Sequence, residues 1–300
     1  MRSIIGTVPD HDAALDPALA AWAESQHGGH LVSATGLRAG GAPWRLSFST
    51  GDAPAILRVG DDLETVRIER AAMIWAAEHG IPAPRVLSSD PIDEPLLLIS
   101  EIGGSSVVPR EASTARLEAM GAAAASIQAA APPELPRRLR SVNGVDFVAL
   151  WDAAAHPLRE RARHAIEGFD PDPRDDGFVH GDLWMGNAMW AERDALVAVI
   201  DWDCAGRGPA GVDLGSARMD AATAYGDRAE DHVLRGWERQ AGRPADDLAR
   251  WDVVAALCTP PDMGWFTTAI QQQGREDLTR ELLVERRDAF LERALAELGV

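Results

Sequence analysis

The stretch FVHGDLWMGNAMWAERDALVAVIDWD, from Phe178 to Asp203, alternates short apolar runs with acidic and amide side chains. Its last apolar run, Leu196 to Ile200, is rich in valine and follows a polar turn, which predicts a buried strand. Shorter strand candidates precede it. The pattern predicts a loop that carries Asp182 and Asn187, followed by a hairpin that ends at Asp201.

Three oxygen-bearing side chains on two adjacent loops suit a complex of Mg²⁺ with a nucleotide. Mg²⁺ prefers oxygen ligands and usually takes one or two carboxylates, while substrate phosphates and water complete its octahedron. Phosphoryl transfer needs little beyond positioning, charge neutralisation and an acceptor for the hydroxyl proton. We therefore expect Asp182 to orient an attacking hydroxyl, and Asn187 and Asp201 to hold the metal ion.

The pattern His-Gly-Asp-x-x-x-x-Asn, followed by Ile-Asp-Trp-Asp, resembles the catalytic and metal-binding segments of the aminoglycoside/macrolide phosphotransferase family, relatives of the protein kinases. The resemblance implies an α+β, two-lobed protein-kinase-like fold, with a small β-rich N-lobe and a larger, mainly helical C-lobe. It places a nucleotide-binding lobe at residues 1–101 and a catalytic, acceptor-binding lobe at residues 102–300. After residue 211 the sequence predicts helices, with breaks near Gly226, Arg243-Pro244, Pro260-Pro261 and Gly274.

Residues of the first lobe match the family's nucleotide-binding positions. Gly40 and Gly41 lie between two strand-like stretches, where backbone N–H groups can approach phosphates closely, although an ordinary hairpin turn has the same appearance. By the resemblance, Arg58, on a predicted strand, contacts nucleotide phosphates. Glu69, on a predicted helix, holds that arginine by an ion pair. The alternative is a surface Arg–Glu pair.

A connector follows the apolar strand Pro95 to Ser100. In the family, the backbone of this connector meets the adenine edge, which assigns Ser100 and Ile102 to nucleotide binding. An arginine at position 58 replaces the kinase-like lysine, and its planar guanidinium is bulkier than an ammonium group. The choice between ATP and GTP is therefore left open.

Four further residues are candidates for support or substrate contact. His180 is expected to order the catalytic loop, residues 180–187, by hydrogen bonding. Asp213 is expected to pin that loop by accepting backbone hydrogen bonds, with a plain helix N-cap as the alternative. Asp203 would position water around the metal or face a cationic acceptor. Trp265 is the candidate for an aromatic wall of the acceptor site, although late aromatic residues more often belong to the core.

The amino-acid composition excludes several classes of function. All 29 basic residues are arginine, which excludes mechanisms that require a Walker A or Schiff-base lysine. The net charge of −18 argues against a nucleic-acid partner and is compatible with a cationic acceptor, or with an acidic surface kept for solubility. No signal peptide or membrane span is predicted, and the two cysteines lack metal-binding spacing. The sequence thus predicts a cytoplasmic protein without a membrane partner.

The function expected from these features is transfer of the γ-phosphate of ATP or GTP to a hydroxyl of a small molecule. An antibiotic of the macrolide or aminoglycoside type would make this a resistance enzyme, and an amino alcohol or sugar would make it a metabolic kinase. A metallohydrolase using His180, Asp182, Asp201 and Asp203 around two metals is one rival. A non-catalytic nucleotide-binding module is another. Only nine residues separate Asp203 from Asp213, too few for the long activation loop of a protein kinase.

Overall fold

The computed structural model describes residues 14–38, 41–88, 93–142 and 144–300, so the predicted phosphate-loop residue Gly40 lies outside the described residues. The strands are β1 (Leu31–Arg38), β2 (Gly41–Phe48), β3 (Ala55–Val59), β4 (Leu96–Ser100), β5 (Gly177–Val179), β6 (Ala188–Trp190), β7 (Leu196–Val199) and β8 (Gly206–Gly208). The helices are α1 (Pro17–His27), α2 (Leu63–Glu78), α3 (Thr114–Gln128), α4 (Phe147–Ala154), α5 (Arg159–Ala165), α6 (Gly211–Tyr225), α7 (Ala229–Ala241), α8 (Leu248–Leu257), α9 (Gly264–Gln272) and α10 (Arg280–Glu297).

The N-terminal part is a four-stranded antiparallel sheet in the order β1-β2-β3-β4, and α2 connects β3 to β4. The helix begins after Asp62, whose carboxylate accepts the Thr65 N–H at 2.8 Å and so caps the first turn. Its buried face includes Val66, Glu69 and Met73, at helical spacing. A carboxylate therefore stands among the apolar residues that face the core.

The polar stretch of the sequence forms the predicted loop and hairpin. β6 and β7 pair antiparallel, with Ala188 opposite Val199, and β5 pairs with β8. The Val199 N–H donates to the carbonyl of Pro82 at 2.9 Å, which fastens the hairpin to the segment after α2. This contact brings the predicted metal-binding loops beside the N-terminal part.

The C-terminal part is built around α6, in which every residue from Gly211 to Ala224 is buried. α3 and α7 pack against it and against each other at very short range. A Cβ built on Gly121 would lie 1.9 Å from the carbonyl oxygen of Val233, and one on Gly236 would lie 1.9 Å from that of Glu118. Glycine at both positions is what lets the two backbones approach. The helix breaks predicted after residue 211 all fall between helices and are confirmed.

None of the helices in the described ranges is both long and apolar enough to cross a membrane.

Candidate active site

The catalytic loop brings Asp182 and Asn187 into direct contact. The Asn187 side-chain N–H groups donate to the Asp182 backbone carbonyl at 2.9 Å and to its Oδ2 at 3.1 Å. Asn187 ends a short 3₁₀ turn, Met185–Asn187, that is buried throughout, whereas Asp182 is partly exposed. Because the amide nitrogen is directed at Asp182, the amide oxygen is the atom with which Asn187 can bind a metal ion.

Asp201 follows β7 and joins the same cluster through the backbone. The Ile200 N–H donates to the backbone carbonyl of Asn187 at 2.8 Å, which holds the two predicted metal-binding segments side by side. Asp201 itself has left-handed backbone angles, φ 69° and ψ 61°, before the 3₁₀ turn Trp202–Cys204. Asp is one of the few residue types that visit this region readily. The conformation turns the chain sharply at the acidic residue.

Arg58 lies between two carboxylates. Its Nη2 is 3.0 Å from Glu69 Oε1 and also contacts Asp201 Oδ1, so the ion pair expected between β3 and α2 is present. Burial raises the pKa of Glu69 to about 7, although Arg58 opposes the shift. Burial lowers the pKa of Arg58, but Asp201 and Glu69 outweigh it and hold that pKa above its ordinary value. The guanidinium therefore stays charged at the point where β3, α2 and the hairpin meet.

Carboxyl groups cluster where a divalent cation is expected. Burial raises the pKa of Asp182 to about 8, and the charges of Asp201 and Asp203 add to the shift. Burial and the charge of Asp201 also raise the pKa of Asp203. A cation placed among these groups would relieve their mutual repulsion.

The donor set fits Mg²⁺. The Asn187 amide oxygen and the Asp201 carboxylate are hard oxygen donors, and Mg²⁺ typically uses one or two carboxylates together with phosphate oxygens and water. Among the residues with described positions, no three His, Cys, Asp or Glu side chains converge as a metal cage. A site completed by nucleotide phosphates does not require such a cage.

Both ring nitrogens of His180 take part in hydrogen bonds. Its Nδ1 accepts the Asp182 N–H at 3.3 Å, and its Nε2 lies 3.0 Å from the carbonyl oxygen of Ile200. These contacts assign the neutral Nε2–H tautomer, and burial lowers the pKa of the fully buried ring to about 4. The ring bridges the catalytic loop and the end of β7. Such a histidine is not available as a ligand in the two-metal hydrolase considered from the sequence.

Asp213, in the first turn of α6, fastens the start of the catalytic loop. Its two oxygens accept the backbone N–H groups of His180 at 2.7 Å and Gly181 at 2.9 Å. The N-cap alternative is wrong, because Ala210 occupies that position without a side-chain capping bond. Gly181 has φ 82°, and a Cβ there would lie 2.1 Å from the carbonyl oxygen of Cys204, so the loop requires glycine at this position.

The remaining residues predicted to contact the nucleotide lie on the N-terminal sheet and in the segment that follows it. Gly41 begins β2, and its backbone pairs with Arg38. Ser100 ends β4, where its N–H donates to the carbonyl of Arg85 and its hydroxyl accepts the Arg85 N–H, at 2.8 and 2.9 Å. Ile102 is half-buried two residues further on. Their roles in binding phosphate and adenine stay predictions.

Trp265 differs from the other late aromatic residues. Trp237 and Trp251 are buried in the core, as aromatic residues on helices usually are, but Trp265 on α9 is 47% exposed. Its ring lies 6.2 Å from that of Phe147, centroid to centroid. An exposed tryptophan fits the predicted wall of an acceptor site, and that role stays a prediction.

Two residues that support the site were not predicted from the sequence. The Arg138 Nε donates to the carbonyls of Cys204 and Ala205 at 3.1 and 3.3 Å, which holds the chain just after Asp201 and Asp203. Asp220 on α6 accepts a backbone N–H from the catalytic loop. Arg138 gave no local signal, since it stands in a basic run typical of a surface. Asp220 gave a weak one, seven residues after Asp213.

Solved structures share this fold. A spectinomycin phosphotransferase in complex with ADP and spectinomycin aligns with a TM-score of 0.64 at 13% identity, over 94% of this chain and 98% of that one. A macrolide 2′-phosphotransferase from Brachybacterium faecium gives 0.58 at 18% identity, over 94% and 98%. A microcompartment-associated aminopropanol kinase gives 0.53 at 17% identity, over 93% and 95%. At these identities the likeness establishes the fold, which is that of the protein-kinase-like phosphotransferases.

Residues 34–257 match the phosphotransferase enzyme family, and the chain belongs to that family. It is thus a small-molecule phosphotransferase, as its catalytic-loop pattern predicted, and the predicted α+β kinase-like fold is confirmed. Among curated protein sequences, none matches this chain. Neither the match nor the likenesses specify the acceptor.

Proposed function

We propose that this protein transfers the γ-phosphoryl group of ATP or GTP to a hydroxyl of a small, amine-bearing molecule, with Mg²⁺ bound by Asn187 and Asp201. One observation carries the proposal. The side-chain N–H of Asn187 donates a hydrogen bond to the Asp182 carboxylate. The backbone carbonyl of Asn187 accepts a hydrogen bond from the N–H of Ile200, the residue before Asp201. A hydroxyl-orienting carboxylate and two metal donors therefore meet in one cluster.

The residues of the site have distinct tasks. Asp182 accepts a hydrogen bond from the attacking hydroxyl and takes its proton late in the transfer. Burial and the charges of Asp201 and Asp203 raise the pKa of Asp182, and a cation held by Asn187 and Asp201 would lower it again, so that Asp182 is ionised and able to accept the proton. Arg58, braced by Glu69, donates hydrogen bonds to phosphate oxygens through its planar guanidinium. When bound, Mg²⁺ neutralises charge on the phosphates.

Charge and exposure favour an acceptor that carries an amine. The net charge of −18 and the carboxylate of Asp203 beside the site attract a cation. Trp265 offers an exposed aromatic face, on which an ammonium group or an apolar ring can rest. Amino-sugar antibiotics and amino alcohols share this chemistry. The first would make the protein a resistance enzyme and the second a metabolic kinase, in either case one acting in the cytoplasm.

The test is nucleoside diphosphate release with Mg²⁺ and ATP or GTP against macrolides, aminoglycosides, spectinomycin and amino alcohols. We expect release that depends on one acceptor class. Asp182→Ala should abolish release and leave Mg–nucleotide binding largely intact, since Asp182 is assigned to the hydroxyl and not to the metal. Asp52→Ala, at an exposed position, is the matched control and should behave as the wild type. An Asp182→Ala variant that turns over near the wild-type rate would remove the basis of the assignment.

A further inference from the structure

α6 presents a second carboxylate to the catalytic loop. Asp213 holds the start of the loop through the N–H groups of His180 and Gly181. Asp220 follows seven residues later, about two helical turns, and therefore lies on the same face of α6. Both side chains are directed at the loop, one near its start and one near its middle.

Asp220 contacts the loop at Met185. Its Oδ2 accepts the Met185 N–H at 3.2 Å, and both residues are 1% exposed. Met185 begins the 3₁₀ turn that ends at Asn187, and the Asn187 N–H closes that turn on the carbonyl of Trp184 at 3.0 Å. The Tyr225 hydroxyl lies 3.5 Å from the Met185 sulfur, so α6 contacts both the backbone and the side chain of this residue.

Stability alone does not account for a carboxylate at this position. Asp220 Oδ1 is buried without a hydrogen-bond partner among the described residues, and burial raises the pKa of the group to about 7. Burying a polar group that is only partly satisfied costs free energy, which an apolar leucine with the same branched skeleton would avoid. The contact with Met185 is the feature that such a leucine could not provide.

We propose that Asp220 is a positioning residue for the metal ligand Asn187, acting through the Met185 N–H. By fixing the start of the 3₁₀ turn, Asp220 sets the direction in which Asn187 presents its amide oxygen. Without it, the side chains of α6 would hydrogen-bond to the loop backbone only at residues 180 and 181 among the described residues, before the turn begins. The inference rests on the proposed function, because it takes Asn187 to be a ligand of the metal ion.

The test compares substitutions at Asp220 with one on the same helix that does not contact the loop. Asp220→Ala removes the acceptor, and Asp220→Asn keeps an acceptor oxygen. If the alanine variant fails to fold, Asp220→Leu removes the acceptor and keeps the branched side-chain skeleton. Thr223→Ala is the control, because the buried Thr223 hydroxyl bonds to carbonyls of α6 itself, Met219 at 2.9 Å and Asp220 at 3.0 Å. Each variant is titrated with Mn²⁺ in the presence of a non-hydrolysable ATP analogue, by electron paramagnetic resonance.

We expect Asp220→Ala or Asp220→Leu to weaken Mn²⁺ binding about tenfold, a typical effect of removing a group that supports a metal ligand. Asp220→Asn should stay within about threefold of the wild type, and Thr223→Ala should bind as the wild type does. Hydrogen exchange without ligands gives a second readout. Amides of residues 180–190 should exchange faster in Asp220→Ala than in the wild type or in Thr223→Ala.

Two results would overturn the assignment. One is a folded Asp220→Ala or Asp220→Leu variant that binds Mn²⁺ as tightly as the wild type. The other is a Thr223→Ala variant weakened to the same extent, which would indicate general loosening of α6. A wild-type protein that binds no Mn²⁺ with the nucleotide analogue would instead refute the proposed function, and the inference with it.

Discussion

The Arg58–Glu69–Asp201 cluster can be tested by removing one partner at a time. Arg58→Met keeps much of the apolar stem and leaves two carboxylates without their cation. Since Glu69 is 3% exposed, the free energy of unfolding should fall by about 3–5 kcal/mol, the usual effect of breaking a buried pair. Glu69→Gln keeps the side-chain shape and leaves Arg58 paired with Asp201, so it should cost only about 1–2 kcal/mol.

Urea unfolding measures both effects. At pH 8 the carboxylate of Glu69 is mostly ionised, because its pKa is about 7. The double variant should lower the free energy of unfolding by less than the sum of the two single variants. When residue 69 is a neutral glutamine, Arg58→Met leaves only Asp201 without its cation. The half-exposed pair of Arg45 and Glu101 supplies a control, and Arg45→Met should cost much less than Arg58→Met, because solvent screens this pair.

The same variants connect stability to function. Arg58→Met should raise the KM for the nucleotide at least about tenfold, the loss expected for one charge-assisted hydrogen bond to phosphate. Arg58→Lys keeps the charge and should raise the KM less, although a point charge cannot reproduce the bidentate geometry of the guanidinium. If Arg58→Met destabilises the protein no more than Glu69→Gln, or if the two costs simply add, the cluster is not a coupled buried site and our reasoning is wrong.

Three further predictions concern the catalytic loop and the helix packing. Asp213→Ala leaves two buried N–H groups unsatisfied and should lower the free energy of unfolding by about 2–4 kcal/mol. Asp213→Asn keeps one acceptor oxygen and should cost about half as much. Equal costs of the two variants in urea unfolding would contradict the two-bond geometry. His180 is buried with a pKa of about 4 against an ordinary 6.5, so the unfolded state binds the extra proton between these values and stability falls as the pH falls through them. The advantage of the wild type over His180→Gln in unfolding free energy should shrink by up to about 3 kcal/mol from pH 7 to pH 4, and an advantage that does not depend on pH would be inconsistent with a buried neutral ring. Gly121→Ala would place a Cβ 1.9 Å from the Val233 carbonyl oxygen and should lower the free energy of unfolding in urea by about 2–3 kcal/mol. Gly103 has open space around it, so Gly103→Ala should leave that free energy unchanged. Similar values for the two variants would show that α3 and α7 have room to separate.

The local signals in the sequence were reliable where chemistry and spacing coincide. The catalytic-loop pattern placed Asp182 and Asn187 five residues apart, and the structure folds that short loop so that the two side chains meet. The apolar run and valine content of residues 196–200, after a polar turn, predicted the β6–β7 hairpin, and glycine and proline positions predicted the helix breaks. Each of these signals depends on residues near one another in the chain. The pairing of Arg58 with Glu69 came from the family resemblance, and the structure shows it.

The features that the sequence did not reveal depend on contacts between distant segments. Arg58 and Asp201 are 143 residues apart, and their contact exists because β3, α2 and the hairpin converge. Asp220 is one acidic residue on a helix that is buried on every side, so no apolar stripe marked the face that it shares with Asp213. The sequence by itself determined the candidate reacting groups and their spacing along the loop. Only the tertiary structure decided which buried charges face them, because a long-range contact is selected by the packing of whole elements and leaves no periodic trace in the chain.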